Sequence, residues 1–133
     1  MASANVDLVR SIYAALGSGD FSLTAWADPE IEFVVADGPS PGRWTGLAGM
    51  AEGVRDWLSA WEQWRQTADE YRELDDERVL VLDRYSARGK RSGLEVGQIQ
   101  TKGASLFHVR DGKVTKRVTY FDRDRALADL GLD

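Results

Sequence analysis

The segment from Ser105 to Leu132 most constrains what this chain can fold into. It reads SLFHVRDGKVTKRVTYFDRDRALADLGL. Two runs of β-branched and aromatic residues flank Arg110-Asp111-Gly112-Lys113, and Asp-Gly between such runs is a strong hairpin signal. Asp122 is placed to cap a short helix over Arg123 to Leu130, and Gly131 is its natural stop. The segment therefore predicts an antiparallel strand pair leading directly into a helix. It also sets the register of the two strands best placed to line a ligand cavity.

Upstream, the hydrophobic period is that of helices. Ser3 to Leu16 reads as a first helix, capped by Ser3 or Asn5, with Val6, Val9, Ile12, Tyr13 and Leu16 on one face. Asp20 can cap a short second helix over Phe21 to Trp26, and Asp28-Pro29 reads as a break. Ile31 to Val35 is strand-like, and Asp37 to Gly42 is a loop. A third helix is expected from about Leu47 to Trp64, where Met50, Val54, Trp57, Leu58 and Trp61 form an apolar stripe. The remainder is strand: Gln66 to Leu74, Arg78 to Ala87, and a long run from Glu95 to Val109 bent at Gly97 and Gly103. A turn over Arg88 to Gly93 joins the last two, and Val114 to Phe121 pairs back on the long run. Helices first, then antiparallel strands, then a helix is an α+β order.

Composition narrows the function. At 133 residues the chain is read as one domain. It has no cysteine, which excludes disulfides, thiolate metal sites and a cysteine nucleophile and fits a cytoplasmic setting. A net charge of -5 argues against nucleic acid, which needs clustered Lys and Arg. No apolar run approaches the ~18 residues of a membrane span. The single histidine, His108, has no metal-spaced partner, so neither a metal nor another cofactor is expected.

Several phrases, in this order, resemble the SnoaL-like family of the nuclear-transport-factor-two-like superfamily. They are Val9-Arg10-Ser11-Ile12-Tyr13 with Gly19-Asp20-Phe21; Asp28-Pro29-Glu30-Ile31-Glu32-Phe33; Trp44-Thr45-Gly46; and the closing hairpin and helix. The resemblance implies a cone-shaped curved mixed or antiparallel sheet packed against three helices, the last a short C-terminal one. It also implies an apolar pocket for a small hydrophobic molecule, and often a homodimer. Functions in that superfamily run from ketosteroid isomerases and epoxide hydrolases to polyketide cyclases and simple binders, so fold alone does not fix activity. The acid that ketosteroid isomerases carry at the end of the first strand has no counterpart in Phe33-Val34-Val35.

Candidate site residues follow from the hairpin register. A three-residue loop with Gly in the left-handed position would pair Val109 with Lys113. Alternation then puts Gly103, Ser105 and Phe107 on one face with Thr115, Arg117, Thr119 and Phe121. Comparison with the isomerases makes this face the cavity side. Leu106, His108, Val114, Lys116, Val118 and Tyr120 take the other face, which would suit a homodimer. A tighter two-residue loop would change these pairings. Arg117 inside the cone cannot lose its proton and needs a partner: Glu32, Asp37, Asp83, Glu95 or a ligand oxygen.

Arg117, Tyr13 and Asp37 are the candidate catalytic residues: a cation to orient an oxygen, a hydroxyl donor, and a loop carboxylate near the cavity mouth. Asp37 before Gly also reads as a plain turn former. Asp83 and Glu95 are further carboxylates, though most charges around Asp83, Arg84 and Arg88 read as facing solvent. Trp26, Phe33, Trp44, Trp57, Trp61, Ser105, Phe107, Thr119 and Phe121 are the candidate ligand-binding residues. The chemistry expected is acid–base work of the cyclase, isomerase or hydrolase type on a small hydrophobic carbonyl or polyketide-like substrate. The alternatives are a non-catalytic binder of an apolar ligand and a dimeric structural module whose cone is filled by its own side chains.

Overall fold

A computed structural model describes residues 4–17, 26–37, 41–89 and 98–132, all with their side chains except 16–17, 56–65, 87–89 and 98–101. In chain order the elements are α1 (Ala4–Gly17), β1 (Ala27–Val35), β2 (Gly42–Thr45), α2 (Gly46–Ala60), β3 (Trp61–Glu73), β4 (Arg78–Gly89), β5 (Gln98–Arg110), β6 (Lys113–Tyr120) and α3 (Arg123–Asp129). The short helix expected over Phe21 to Trp26 falls almost wholly outside the described residues, as does most of the turn after Arg88.

The strands form one curved, mixed sheet in the order β2-β1-β6-β5-β4-β3. Only β1 and β6 run parallel; every other neighbouring pair is antiparallel. The inner face carries Ile31, Phe33, Val79, Val81, Phe107 and Val109, covered by Val9, Ile12 and Tyr13 of α1 and Met50 of α2. The outer face carries Leu80, Leu82, Ala104, Leu106 and Tyr120, covered by Ala126, Leu127 and Leu130 of α3. This is the expected α+β cone, and each face has its own apolar core.

The hairpin turn differs from the expected one. Asp111 and Gly112 both have positive φ, 53° and 74°, so the loop is the two-residue type I′ form. Arg110 therefore pairs with Lys113, and Val109 with Val114. A bulge follows at once: His108 pairs with Lys116, leaving Thr115 as the extra residue. The turn moves the register by one residue and the bulge moves it by one more, so the pairing is displaced by two and each side chain beyond the bulge keeps its expected face. Arg117 and Thr119 thus share the inner face with Phe107 and Ser105, as expected. Val114, expected outside, is instead fully buried in the inner core.

Other boundaries shift for similar tertiary reasons. The Asp28-Pro29 break lies within β1 as a register irregularity between Ala27 and Glu32, and the strand continues through it. The third helix ends at Ala60, and Trp61 opens β3, which pairs along β4. Trp57 and Trp61 therefore belong to different elements, and their side chains lie outside the described residues. Strand β2 was not expected. It pairs Trp44 with Phe33, and Gly46 at φ 80° makes the turn from β2 into α2.

The closing helix forms as its sequence signals. Asp122 accepts from the backbone N–H groups of Asp124 and Arg125. Gly131, at φ 68°, lets the Leu132 N–H donate back to the Leu127 carbonyl at 2.8 Å. Leu106 and Tyr120, expected on an outer surface suited to a homodimer, are buried under this helix at 6% and 7% exposure.

Candidate functional site

A set of polar side chains sits within the aromatic inner face, centred on Asp83 of β4. Strand alternation sends Val79, Val81, Asp83 and Tyr85 inward and Leu80, Leu82 and Arg84 outward. Asp83 is fully buried. Its Oδ2 accepts from the Tyr13 hydroxyl at 2.5 Å, the Ser105 hydroxyl at 2.9 Å and the Gln66 amide at 3.1 Å. The Tyr85 hydroxyl lies 3.2 Å from Ser105 Oγ and 3.4 Å from the same Oδ2. Four elements meet here: α1 supplies Tyr13, β3 Gln66, β4 Asp83 and Tyr85, and β5 Ser105.

Gln66 also connects the cluster to Arg117. Its amide donates to Asp83 through Nε2 and accepts from Arg117 Nη2 through Oε1 at 3.2 Å. The guanidinium lies 5.5 Å from the ring centres of both Phe33 and Phe107, its cross-strand neighbours on β1 and β5. The buried cation and the buried carboxylate are thus joined through one amide rather than in direct contact. Three buried atoms have no hydrogen-bond partner among the described residues: Asp83 Oδ1, Arg117 Nε and Thr119 Oγ1. Leaving such a group unpaired costs about 1–3 kcal/mol, more when it is charged, so three on one face are notable.

Electrostatics divides the roles. Burial pushes the Asp83 carboxyl above its ordinary range, opposed by the hydrogen bonds from Tyr13, Gln66 and Ser105 and by the Arg117 charge. Burial, with the neighbouring Asp83 charge, holds Tyr13 and Tyr85 well above the ordinary tyrosine value. Both phenols therefore stay protonated as donors. Since Oδ2 is saturated with donors, Oδ1 is the atom on which Asp83 can carry or release a proton.

The candidate residues divide in the same way. Arg117, Tyr13 and Ser105 converge on this cluster. Phe33 and Phe107 flank the guanidinium, and Thr119 lies two residues along β6 on the same face. The Phe121 ring packs against Tyr85 with centres 5.2 Å apart. Trp44 stacks on Phe33 at 5.7 Å, and a Cβ at Gly53 would come within 2.7 Å of its indole, so α2 reads that ring through a glycine. Trp26 packs at the margin of the inner core.

Asp37 stands apart from the cluster: its carboxylate accepts the backbone N–H groups of Phe121 at 2.6 Å and Asp122 at 3.3 Å, tying the chain after β1 to the end of β6. Glu32 faces Arg43 and Lys116 instead of Arg117, and Glu95 lies outside the described residues. His108 is half-buried on the outer face, and burial together with the Lys116 and Arg78 charges lowers its pKa. Among the described residues, no group of three or more acidic or histidine side chains could hold a metal ion. No helix there is long and apolar enough to cross a membrane.

The sequence reading underweighted Asp83 and missed Gln66 and Tyr85. The signal for the first and last was present: in VLVLDRY, an outward Arg84 implies inward Asp83 and Tyr85. Gln66 had no such signal, because β3 carries a bulge between Ala68 and Glu70 that breaks its alternation.

A six-stranded mixed sheet curved over two helices, with a polar cluster sunk in its aromatic inner face, defines a cone-type α+β protein. The chain belongs to the SnoaL-like domain family, whose model matches residues 9–117. Its fold is shared with an NTF2-like protein of unknown function from Burkholderia pseudomallei K96243, at TM-score 0.79 and 20% identity over 96% of this chain and 97% of that one. It is also similar to TerC, crystallised with polyporic acid, at TM-score 0.76 and 22% identity over 96% and 98% of the two chains. A candidate polyketide cyclase from Xanthomonas campestris pv. campestris aligns at TM-score 0.71 and 21% identity over 94% and 95%. No curated protein matches the chain in sequence.

Proposed function

We propose that this protein binds a small hydrophobic carbonyl compound on the inner sheet face and performs acid–base chemistry on it, with Asp83 as the proton-transfer group. The carrying observation is the split carboxylate: Oδ2 is held by Tyr13, Ser105 and Gln66, while Oδ1 has no partner among the described residues. In this reading Oδ1 takes a proton from the carbon next to the carbonyl. The C–H electron pair moves onto the carbonyl oxygen as an enolate, and Arg117 Nε–H donates to that oxygen. Return of the proton from Oδ1 to another carbon gives an isomerase outcome; attack of the enolate carbon on a second carbonyl, whose π electrons move to its oxygen to be protonated from Oδ1, gives a cyclase outcome. Tyr13 holds the acid in place, and Asp37 has a structural role at the end of β6. A homodimer would have to use a surface other than the apolar one beneath α3.

The test is hydrogen–deuterium exchange at the α-carbon of small cyclic and aromatic ketones, followed by NMR in deuterated buffer. The wild type should exceed buffer, and Asp83→Asn should lose about 10²–10⁴-fold of the acceleration. Equal rates in the wild type, Asp83→Asn and buffer would exclude the catalytic reading.

A second reading, a binder or a cone filled by its own side chains, is favoured by the ring packing. Tyr13 meets Phe107 and Tyr71 edge-on at 5.9 Å and 6.1 Å, which fills part of the inner face. Thermal stabilisation by apolar ligands without exchange would support the binder, and neither stabilisation nor exchange would support the filled cone.

A further inference from the structure

The outer side of the Asp83 strand pair carries a second feature, which the acid–base reading does not use. Arg123, the first residue of α3, is mostly buried, with its side chain 20% exposed. Its Nη2 donates to the backbone carbonyl of Asp83 at 2.8 Å and to Asp69 Oδ2 at 3.0 Å, and its Nε donates to the carbonyl of Gly103 at 3.0 Å. Asp83 and Gly103 face each other across β4 and β5. Asp69 is the bulged residue of β3, the next strand over, and also accepts from Arg84 at 2.9 Å. One guanidinium therefore holds three strands at the level of the buried acid.

We propose that Arg123 is a positioning residue for Asp83, fixing the backbone from which the carboxylate projects and so making α3 part of the acid's mounting. The proposal deepens the acid–base reading and rests on it for its functional meaning.

Three observations support it. First, Asp83 is gripped at both ends, by Arg123 at its carbonyl and by Tyr13, Ser105 and Gln66 at its carboxylate. A shift of the strand pair would thus lengthen the 2.5 Å Tyr13 bond. Second, the grip needs a planar fork: a lysine at this position offers a point charge that cannot serve both carbonyls and Asp69 with the same geometry. Third, the close approach at this level already excludes a side chain at Gly103, where a Cβ would collide with the Tyr85 ring and the Tyr120 carbonyl. Tyr85 therefore lies across the same strand pair that Arg123 clamps.

The test reads Asp83 directly and needs no substrate, so it stands apart from the exchange assay. Carboxyl-labelled aspartate in the full chain is titrated by carbon NMR. The charged and titratable groups facing the Asp83 carboxyl are Tyr13 from α1, Tyr85 on β4 and Arg117 on β6, and all are kept. In Arg123→Ala the strand pair loosens and water reaches the carboxyl. The Asp83 midpoint should then fall toward the ordinary carboxylate range. Arg123→Lys should fall between that variant and the wild type. Arg125→Ala, which removes only the exposed pair with Asp129 on the same helix, should match the wild type.

A folded Arg123→Ala with a lowered melting temperature but an unmoved Asp83 midpoint would reduce Arg123 to a stability contact and overturn the proposal. If Arg123→Ala does not fold, Arg123→Lys decides: a midpoint equal to the wild type overturns it, and a lowered one supports it.

Discussion

On one side of β4 stand Leu80 and Leu82; on the other, Asp83 and Tyr85. The outer pair packs in an apolar cluster covered by α3, so the apolar area buried there adds to stability. The inner pair is also buried, but with Tyr13 and Arg117 it takes a carboxylate, two phenols and a guanidinium out of water, and among the described residues Asp83 Oδ1, Arg117 Nε and Thr119 Oγ1 are left unpaired on that face. A fold seeking only stability would fill both faces as it fills the outer one. Under the proposed function, the contrast assigns the chemistry to the inner face and its support to the outer.

Substitutions can break that contrast. The largest effect on stability should come from the supporting side. Leu80→Ala leaves a cavity under α3 and should cost about 2–5 kcal/mol in urea unfolding, whereas Asp83→Asn should leave the fold in place. Equal losses from both would mean that the inner cluster is also a stability device.

A smaller effect concerns the response to pH. The folded-state pKa of Asp83 is raised, so its contribution is fully present below the unfolded value of about 3.9 and is lost as pH rises through the folded value. Asp69 behaves oppositely. Its pKa is lowered, first by the hydrogen bond from Arg84, so its contribution is present above about 3.9 and is lost as pH falls through the folded value. Asp69 is partly exposed, and solvent screening keeps its share small. Unfolding free energy measured from about pH 4 upward should therefore decline in the wild type, and that decline should disappear in Asp83→Asn. A decline that persists in the variant would assign it to other groups.

The smallest effect tests how α3 is held. Asp122→Ala removes the cap that accepts from Asp124 and Arg125 and should cost about 1 kcal/mol, seen as a modest drop in melting temperature.

Much of this architecture was legible in the sequence, because local signals and tertiary demands agree there. The cap at Asp122, the stop at Gly131 and the Asp111-Gly112 turn act over a few residues, and the inward stripe of α1 follows from period alone. The errors arise where pairing partners override local pattern. Trp61 to Trp64 continues a helical stripe, yet pairing along β4 draws it into β3. Gln66 lies ahead of a bulge that no residue type announces, so its link to Arg117 could not be read from spacing. Asp83 could have been: its neighbours Val81 and Tyr85 share its face, and only the flanking arginines made it look solvated.

The bulge at Thr115 has a consequence for how this chain can vary. In a regular hairpin the tip and the strands share one phase, and adding or losing one residue in the loop turns every side chain below it over. Here the two-residue tip and the Arg117 segment are out of phase, and Thr115 absorbs the difference. The tip and the site are therefore separate modules joined by a one-residue slip. Loop grafts that exchange the two-residue tip for a three-residue one can be matched by deleting the slip, leaving Arg117 between its two phenylalanines.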